Sequence, residues 1–240
     1  MTAKGNGSLF ERLVEIMATL RSPTGCPWDR AQNRTSLKPY LLEEAYEVLE
    51  ALDEEDPAKL KEELGDLLFQ VIFHAQVGRE RGEFDISDIV QGTIDKMTRR
   101  HPHVFGSATA STPQEALRNW EEIKRQETAA AKDTSVLDGV PRQLPSLLRA
   151  QRLQDKASRV GFDWERADQA WAKVAEELQE LQADLATQNR AKIEAELGDV
   201  LFSLVNVARL LEINADEALH RTSVKFIQRF QFIERALSRQ

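Results

Sequence analysis

An arrangement of carboxylates occurs twice in the chain, and this repetition constrains the fold more than any other feature of the sequence. The pattern E-E-x-x-E, followed by E-L-G-D, is present in each half. Glu44 precedes Glu63 by 63 − 44 = 19 residues. Glu177 precedes Glu196 by the same distance, 196 − 177 = 19. Helical periodicity alone would produce matching leucines but not matching carboxylates, so the pattern predicts an internal duplication of a helical unit.

The apolar residues around these motifs recur at intervals of three and four, which is the spacing of an amphipathic helix. Two stripes flank the first motif: Leu41, Ala45, Val48, Leu49 and Leu52, then Leu60, Leu64, Leu67, Leu68, Val71, Ile72 and Ala75. Between them, Asp56 and Pro57 form an N-cap and first-turn pair, which predicts a helical hairpin with a tight link. Strand-like alternation is absent, so the predicted fold class is all-α, with two tandem helical modules.

A change of composition separates the two modules. Residues 128–145 contain an alanine run, an Asp138-Gly139 turn and two prolines, which is typical of a linker. We therefore predict a first repeat over residues 9–127, a linker over 128–145 and a second repeat over 146–240.

Net charge and cysteine content limit the partners and the compartment. The formal net charge is −8, and an acidic surface repels nucleic-acid polymers and anionic membranes, so neither is expected as a partner. A small phosphate compound remains compatible, because a divalent ion and a few basic side chains reverse the sign locally. The single cysteine, Cys26, excludes an internal disulfide, and the polar N-terminus carries no apolar signal segment. We expect a cytoplasmic protein.

Carboxylates three positions apart share a helix face, so each motif gathers four of them at the rim of its hairpin. The candidate metal ligands are Glu44, Glu47, Glu63 and Asp66 in the first half, and Glu177, Glu180, Glu196 and Asp199 in the second. Carboxylates this close repel one another, and a divalent cation that prefers oxygen ligands, Mg²⁺ or Mn²⁺, relieves the repulsion. The alternative is a solvated acidic face, which the repetition of the whole pattern at equal spacing disfavours.

Basic residues in both halves are candidates for holding the phosphates of a triphosphate, arginine by a bidentate grip and lysine as a point charge. The candidates are Lys173, Lys192 and Lys59, each four residues before a candidate ligand, and the pairs Lys225/Arg229 and Lys96/Arg100, each on one helix face. The alternative for each is ordinary i, i+4 ion pairing on an exposed helix.

One aromatic element follows the first repeat. Trp120 can stack on a nucleobase, and Lys124, one helical turn later, can reach a phosphate or a base edge. The alternative is a tryptophan that closes the edge of a core. A glycine-rich phosphate loop is absent from the sequence, so the chain is not a P-loop enzyme.

Several of these segments together resemble bacterial two-repeat MazG proteins. The resemblance is carried by the paired carboxylate motifs, the phrase E-E-L-G-D-L-L-F-Q, the turn G-C-P-W-D at residues 25–29 and the stretch R-R-H-P-H-V-F at residues 99–105, and it extends from about residue 9 to 234. It implies an all-α nucleoside triphosphate pyrophosphohydrolase fold of four-helix modules that dimerise. It also implies Mg²⁺-dependent cleavage of standard and aberrant NTPs and dNTPs between the α and β phosphates, giving monophosphate and pyrophosphate.

The resemblance also assigns roles within the motifs. It implies that the eight carboxylates bind Mg²⁺, that the second repeat is the catalytic one, and that Lys173, Lys192, Lys225 and Arg229 surround the triphosphate. Glu176, or Glu43 in the first repeat, is the candidate general base, since each is a motif carboxylate outside the matched ligands. A Trp/Lys element follows both repeats in this family, whereas this sequence reaches Gln240 without a second copy, so we expect weak base recognition at the second site.

Two other functions compete with this interpretation. A di-iron carboxylate bundle needs a Glu-x-x-His pair on each of two helices, and only Glu217 and His220 fit that pattern. A non-catalytic regulatory module that binds nucleotides would use the same constellation without turnover. Steady-state release of pyrophosphate distinguishes an enzyme from such a module.

Overall fold

The computed structural model describes residues 4–129 and 135–238, which form α-helices and connecting turns with no strand. The prediction of an all-α fold is confirmed. The chain divides into two compact units, residues 1–127 and 128–240. The first unit contains α1 (Lys4–Leu20), α2 (Pro27–Ala31), α3 (Lys38–Asp53), α4 (Pro57–Glu80), α5 (Ile86–Arg100) and α6 (Pro102–Phe105), together with all but the last two residues of α7 (Pro113–Ala129). The second unit contains α8 (Ser146–Ser158), α9 (Ala167–Thr187), α10 (Arg190–Leu210) and α11 (Ala215–Leu237).

The predicted helical hairpin of the first unit consists of α3 and α4, which pack along each other. Asp56 caps α4, since its side chain accepts hydrogen bonds from the amides of Ala58 at 2.8 Å and Lys59 at 3.4 Å. Pro57 occupies the first helical position, where its missing N–H costs nothing. The predicted tight link is therefore confirmed.

The core of the first unit lies where α1, the start of α3 and the C-terminal half of α4 meet. Its buried apolar residues are Met17, Leu37, Ile72, Phe73 and Val77. The turn before α2 is fixed by Gly25, because a Cβ there would lie 2.2 Å from the carbonyl oxygen of Leu20. This turn leads the chain from α1 to the beginning of α3.

The second unit repeats the hairpin with α9 and α10, while α8 packs against α10. Asn189 caps α10 by accepting a hydrogen bond from the amide of Lys192. Ala170, Val174 and Val207 form a small buried core at the base of the hairpin. Gln154 of α8 adds a hydrogen bond of 2.8 Å to the carbonyl oxygen of Phe202. The equal spacing of motifs in the sequence thus corresponds to two similar hairpins.

Large apolar side chains on both hairpins and on α11 remain exposed. Among them are Leu41, Leu49 and Leu52 on α3, Leu64 and Leu68 on α4, Leu178 on α9, Leu197 and Leu201 on α10, and Phe226, Ile227, Phe230 and Ile233 on α11. The apolar stripe predicted for α3 is therefore only partly covered within its own unit.

The predicted linker is described only in part. Residues 130–134, which include most of its alanine run, lie outside the described residues, and residues 135–145 form turns in which Gly139 has a φ of 80°. In the described ranges, no helix is long and apolar enough to cross a membrane.

Candidate metal centres and nucleotide-binding residues

The α3–α4 hairpin brings three of the predicted ligands together in a first carboxylate centre, formed by Glu44, Glu63 and Asp66. One carboxylate oxygen from each lies within 4.8 Å of the others. Glu63 and Asp66 are three positions apart on α4 and share its face, while α3 supplies Glu44. The fourth predicted ligand, Glu47, lies one turn after Glu44 and contributes its negative charge to the same centre.

The electrostatics of the first centre favour the binding of a cation. Burial raises the pKa of Glu44; the hydrogen bond from Gln70 opposes this shift, and the charges of Asp66 and Glu47 add to it. The pKa of Glu63 is raised by burial and then by Glu47 and its other acidic neighbours, against a smaller opposing effect of Lys59. Both carboxyl groups therefore hold their protons more tightly than isolated ones, and a divalent ion would compete with those protons.

Gln70 is a member of the first centre that sequence reasoning missed. Its Nε2 donates a hydrogen bond of 3.2 Å to Oε1 of Glu44, and Gln70 itself is buried, with 8% of its surface exposed. Its Oε1 has no hydrogen-bond partner. The available signal was position, because Gln70 follows Asp66 by one helical turn and so shares its face.

A second carboxylate centre, formed by Glu177, Glu196 and Asp199, occupies the α9–α10 hairpin. One oxygen from each again lies within 4.8 Å of the others. Glu177 is only 6% exposed, and Oε2 of Glu196 is buried without a hydrogen-bond partner. Burial raises the pKa of Glu196, and the charges of Glu180, Asp184 and the other two members raise it further. Glu180, the fourth predicted ligand, is therefore close to the centre.

Asp184 is an acidic neighbour of the second centre that sequence reasoning also missed. It follows Glu180 by four residues on α9, so the two share one helix face. The offset between the repeats is 196 − 63 = 133, which places Ala51 at the corresponding position, 184 − 133 = 51. Asp184 therefore has no carboxylate counterpart in the first repeat, and matching the carboxylates of the two repeats does not reveal it.

Lys173 pairs directly with the second centre. Its Nζ lies 2.7 Å from Oε1 of Glu177 and 2.8 Å from Oε1 of Glu176. Hydrogen bonds to Glu176 and Glu177 raise the pKa of Lys173. Glu176, the candidate base, is exposed to solvent beside the centre, and its counterpart Glu43 is exposed on α3.

The structure distributes the other predicted phosphate-binding residues over several places. Lys59 pairs with Glu54 at 3.0 Å and Glu50 at 3.2 Å, beside the α3–α4 turn. Three further candidates are solvent-exposed: Lys192 in the first turn of α10, and Lys225 and Arg229 on α11. Lys96 is half-buried on α5.

Helices α5 and α7 bring together two predicted elements, Arg100 and the Trp120/Lys124 pair. Cζ of Arg100 lies 5.2 Å from the centre of the Trp120 ring, and Nζ of Lys124 lies 5.1 Å from it. Glu127 joins this group through hydrogen bonds of 2.6 Å to Arg100 and to Arg99. Those bonds, first Arg100 and then Arg99, lower the pKa of Glu127 to about 2. The result is a half-buried aromatic ring with two cationic neighbours.

The donor set of both centres fits a divalent ion. Each offers three carboxylate oxygens at a mutual separation that one ion can span, and hard oxygen ligands are those that Mg²⁺ and Mn²⁺ prefer. In the first centre the partnerless Oε1 of Gln70 would supply a further acceptor for the ion or its waters, and in the second centre Oε2 of Glu196 is likewise without a hydrogen-bond partner. Iron ligation of the di-iron type finds no support here, since neither centre contains a histidine.

The fold and these centres define an all-α protein with a candidate metal site, made of three carboxylates, in each of two helical hairpins. The MazG nucleotide pyrophosphohydrolase domain matches residues 32–105 and again residues 167–231, so each match includes one hairpin and its centre. The chain belongs to the MazG family of nucleotide pyrophosphohydrolases, as its resemblance in sequence had indicated.

Curated relatives are similar over nearly the whole chain. The nucleoside triphosphate pyrophosphohydrolase/pyrophosphatase MazG of Thermotoga maritima is 45% identical over 98% of this chain and 89% of its own length. The nucleoside triphosphate pyrophosphohydrolase of Escherichia coli strain K12 is 47% identical over 95% of this chain and 88% of its own. A solved structure, of a mazG-related protein from Thermotoga maritima, covers 48% of this chain and 98% of its own, with 33% identity and a TM-score of 0.42.

Proposed function

We propose that this protein hydrolyses nucleoside triphosphates to the monophosphate and pyrophosphate, with Mg²⁺ or Mn²⁺ as the cofactor. The observation that carries the proposal is the pair of three-carboxylate centres, each within 4.8 Å, in a chain of this family. Relatives that share 45–47% of their residues are named for this activity. The acidic net charge is compatible with a small nucleotide substrate, because a bound divalent ion and the basic side chains would make the potential positive at the site itself.

The roles of the residues follow from their chemistry. A bound divalent ion would polarise the α-phosphate and stabilise the pyrophosphate leaving group. The carboxylates of the second centre would hold that ion, while Lys173, Lys225 and Arg229 would supply positive charge for the outer phosphates. Glu176 is the candidate to orient or deprotonate the attacking water, because it is exposed beside the centre.

We propose a broad range of substrates, both standard and aberrant NTPs and dNTPs, in a house-cleaning role. Trp120 and Lys124, in the first unit, are the candidates for contact with the base of a nucleotide at the first centre, and stacking on an aromatic ring tolerates every base because each has a π-face. The cytoplasm, where such nucleotides occur, suits a chain with the single cysteine Cys26.

A homodimer completes this proposal. The hairpins and α11 leave large leucine, isoleucine and phenylalanine side chains exposed, and a second copy would bury them as the opposite half of a helix bundle. Light scattering at micromolar concentration should give twice the chain mass of 27.3 kDa, or a higher even multiple. A stable particle of one chain mass would contradict this assembly.

The proposed reaction is tested with a panel of NTPs and dNTPs whose products are resolved by ion-exchange chromatography. We expect monophosphate and pyrophosphate with Mg²⁺, no products with a chelator, and recovery when Mg²⁺ or Mn²⁺ is restored in excess. Release of diphosphate and orthophosphate would refute the assignment. Tight nucleotide binding without any product would instead identify a regulatory module.

A further inference from the structure

The two carboxylate centres differ in the side chain that bonds to the first glutamate of each, Glu44 or Glu177. In the first centre Glu44 accepts a hydrogen bond from the uncharged amide of Gln70. In the second centre Glu177 is paired with the ammonium group of Lys173 at 2.7 Å. Lys173 is four residues before Glu177, 177 − 4 = 173, and the corresponding position before Glu44, 44 − 4 = 40, is Tyr40.

The contact between Lys173 and Glu177 joins a partly exposed ammonium group to a buried carboxylate. The Glu177 side chain is 8% exposed, so its carboxylate is shielded from water and depends on the partners around it. The ammonium group also bonds Glu176, so one lysine binds both a proposed ligand and the candidate base. A divalent ion at this centre and Lys173 therefore compete for the same buried carboxylate.

We propose that Lys173 couples metal binding at the second centre to the triphosphate, whereas the first centre binds its divalent ion independently of nucleotide. Without nucleotide, Lys173 stays on Glu177 and opposes the ion. When a triphosphate is bound, its phosphate oxygens give the ammonium group a stronger partner, and Lys173 turns to them. Glu177 is then released to the ion and Glu176 to the attacking water. This inference rests on the proposed function.

The size of the effect follows from the charges. A unit positive charge a few ångströms from a divalent ion weakens ion binding by about tenfold, even in a water-like dielectric. Coupling is reciprocal, so the triphosphate should strengthen ion binding at this centre by the same factor by which the ion strengthens triphosphate binding. The first centre has no lysine at position 40 and should lack this dependence.

The test measures Mn²⁺ affinity by electron paramagnetic resonance on the full chain without nucleotide. Glu44→Gln with Glu63→Gln silences the first centre, so that only the second is observed. In this background Lys173→Met should bind Mn²⁺ about tenfold more tightly, and Lys173→Gln should do the same because it also removes the charge. Lys173→Arg should stay near the weak starting affinity. Circular dichroism verifies that each variant is folded.

The mirror experiment introduces the charge into the first centre. In a background with Glu177→Gln and Glu196→Gln, Tyr40→Lys should weaken Mn²⁺ binding about tenfold. Lys192→Met, made in the background that observes the second centre, is the matched control. It removes an exposed lysine four residues before Glu196 and should change Mn²⁺ affinity much less than Lys173→Met.

A third measurement tests the nucleotide side of the coupling. An α,β-methylene triphosphate analogue, titrated in the presence of chelator, should bind more weakly to Lys173→Met than to the unsubstituted chain. The inference is overturned if Mn²⁺ binds but Lys173→Met leaves its affinity unchanged or lower, and equally if analogue affinity does not fall. Absence of Mn²⁺ binding at both centres would refute the proposed function itself, and the inference with it.

Discussion

Replacing Glu44 by glutamine should affect the metal-free and the metal-bound protein in opposite directions. The substitution removes one of three carboxylates whose oxygens lie within 4.8 Å of one another. Glutamine retains a carbonyl oxygen that can accept the hydrogen bond from Gln70, so little packing or hydrogen bonding is lost. The main changes in the metal-free protein are the loss of a partly buried charge and of its repulsion by Asp66 and Glu47. In the metal-bound protein the main change is the loss of a ligand.

The two effects have different magnitudes. Like charges at this separation repel by about 1 kcal/mol per pair in a water-like dielectric, and salt screens part of that. Glu44→Gln should therefore raise the free energy of unfolding of the metal-free protein by about 1 kcal/mol, or roughly 4 °C in Tm for a unit of this size. An ion present at a hundred times its Kd stabilises by about 2.7 kcal/mol, and the variant should lose this stabilisation at its own centre.

Differential scanning calorimetry with chelator and with Mg²⁺ measures both effects on the same samples. Glu43→Gln makes the same chemical change at the neighbouring, exposed position and should leave the Mg²⁺-induced shift intact. If Glu44→Gln destabilises the metal-free protein, or retains the full Mg²⁺-induced shift, the three carboxylates do not act as a metal centre.

Three further predictions concern pH, α7 and the division of labour between the repeats. Burial and acidic neighbours raise the pKa of Glu196, so the metal-free protein should become more stable as the pH falls from neutral through that raised pKa toward the ordinary glutamate pKa. The stabilisation by Mg²⁺ should shrink over the same pH interval, and denaturant titrations at each pH measure both effects. The hydrogen bonds from Arg100 and then Arg99 lower the pKa of Glu127 to about 2, so the stabilisation that Glu127 gives should be complete above the ordinary glutamate pKa and lost toward pH 2. Glu127→Gln should therefore speed amide hydrogen exchange in α7 at neutral pH but not at pH 2. Glu177→Gln with Glu180→Gln should abolish turnover while the equivalent pair in the first repeat leaves most of it, and the reverse outcome would make the first repeat the catalyst.

The hairpins and most members of the centres were predictable from sequence because the relevant signals are local. Helical spacing and the cap at Asp56 predicted α3 and α4. The separation of 19 residues between Glu44 and Glu63, repeated between Glu177 and Glu196, predicted that the carboxylates of each hairpin face one another. Two residues three positions apart on a helix already share a face. The structure then needed only a tight turn to bring the two faces together.

The remaining features depend on contacts between elements, which spacing does not reveal. Gln70 bonds to Glu44 across the hairpin, and α5 and α7 must pack together before Arg100 can approach Trp120. Lys59 has the same spacing to its glutamate as Lys173, yet it pairs with Glu50 and Glu54 because those side chains lie beside the same turn. Identical local patterns therefore lead to different partners when their surroundings differ.

The position of water attack tests the central claim most directly. Hydrolysis of an NTP in ¹⁸O-enriched water with Mg²⁺, followed by mass spectrometry of the products, shows which phosphorus atom the water reaches. If the second centre, whose Glu177, Glu196 and Asp199 oxygens lie within 4.8 Å, activates the α-phosphate, the label appears in the monophosphate and pyrophosphate remains unlabelled. Label in pyrophosphate or in orthophosphate would contradict the account.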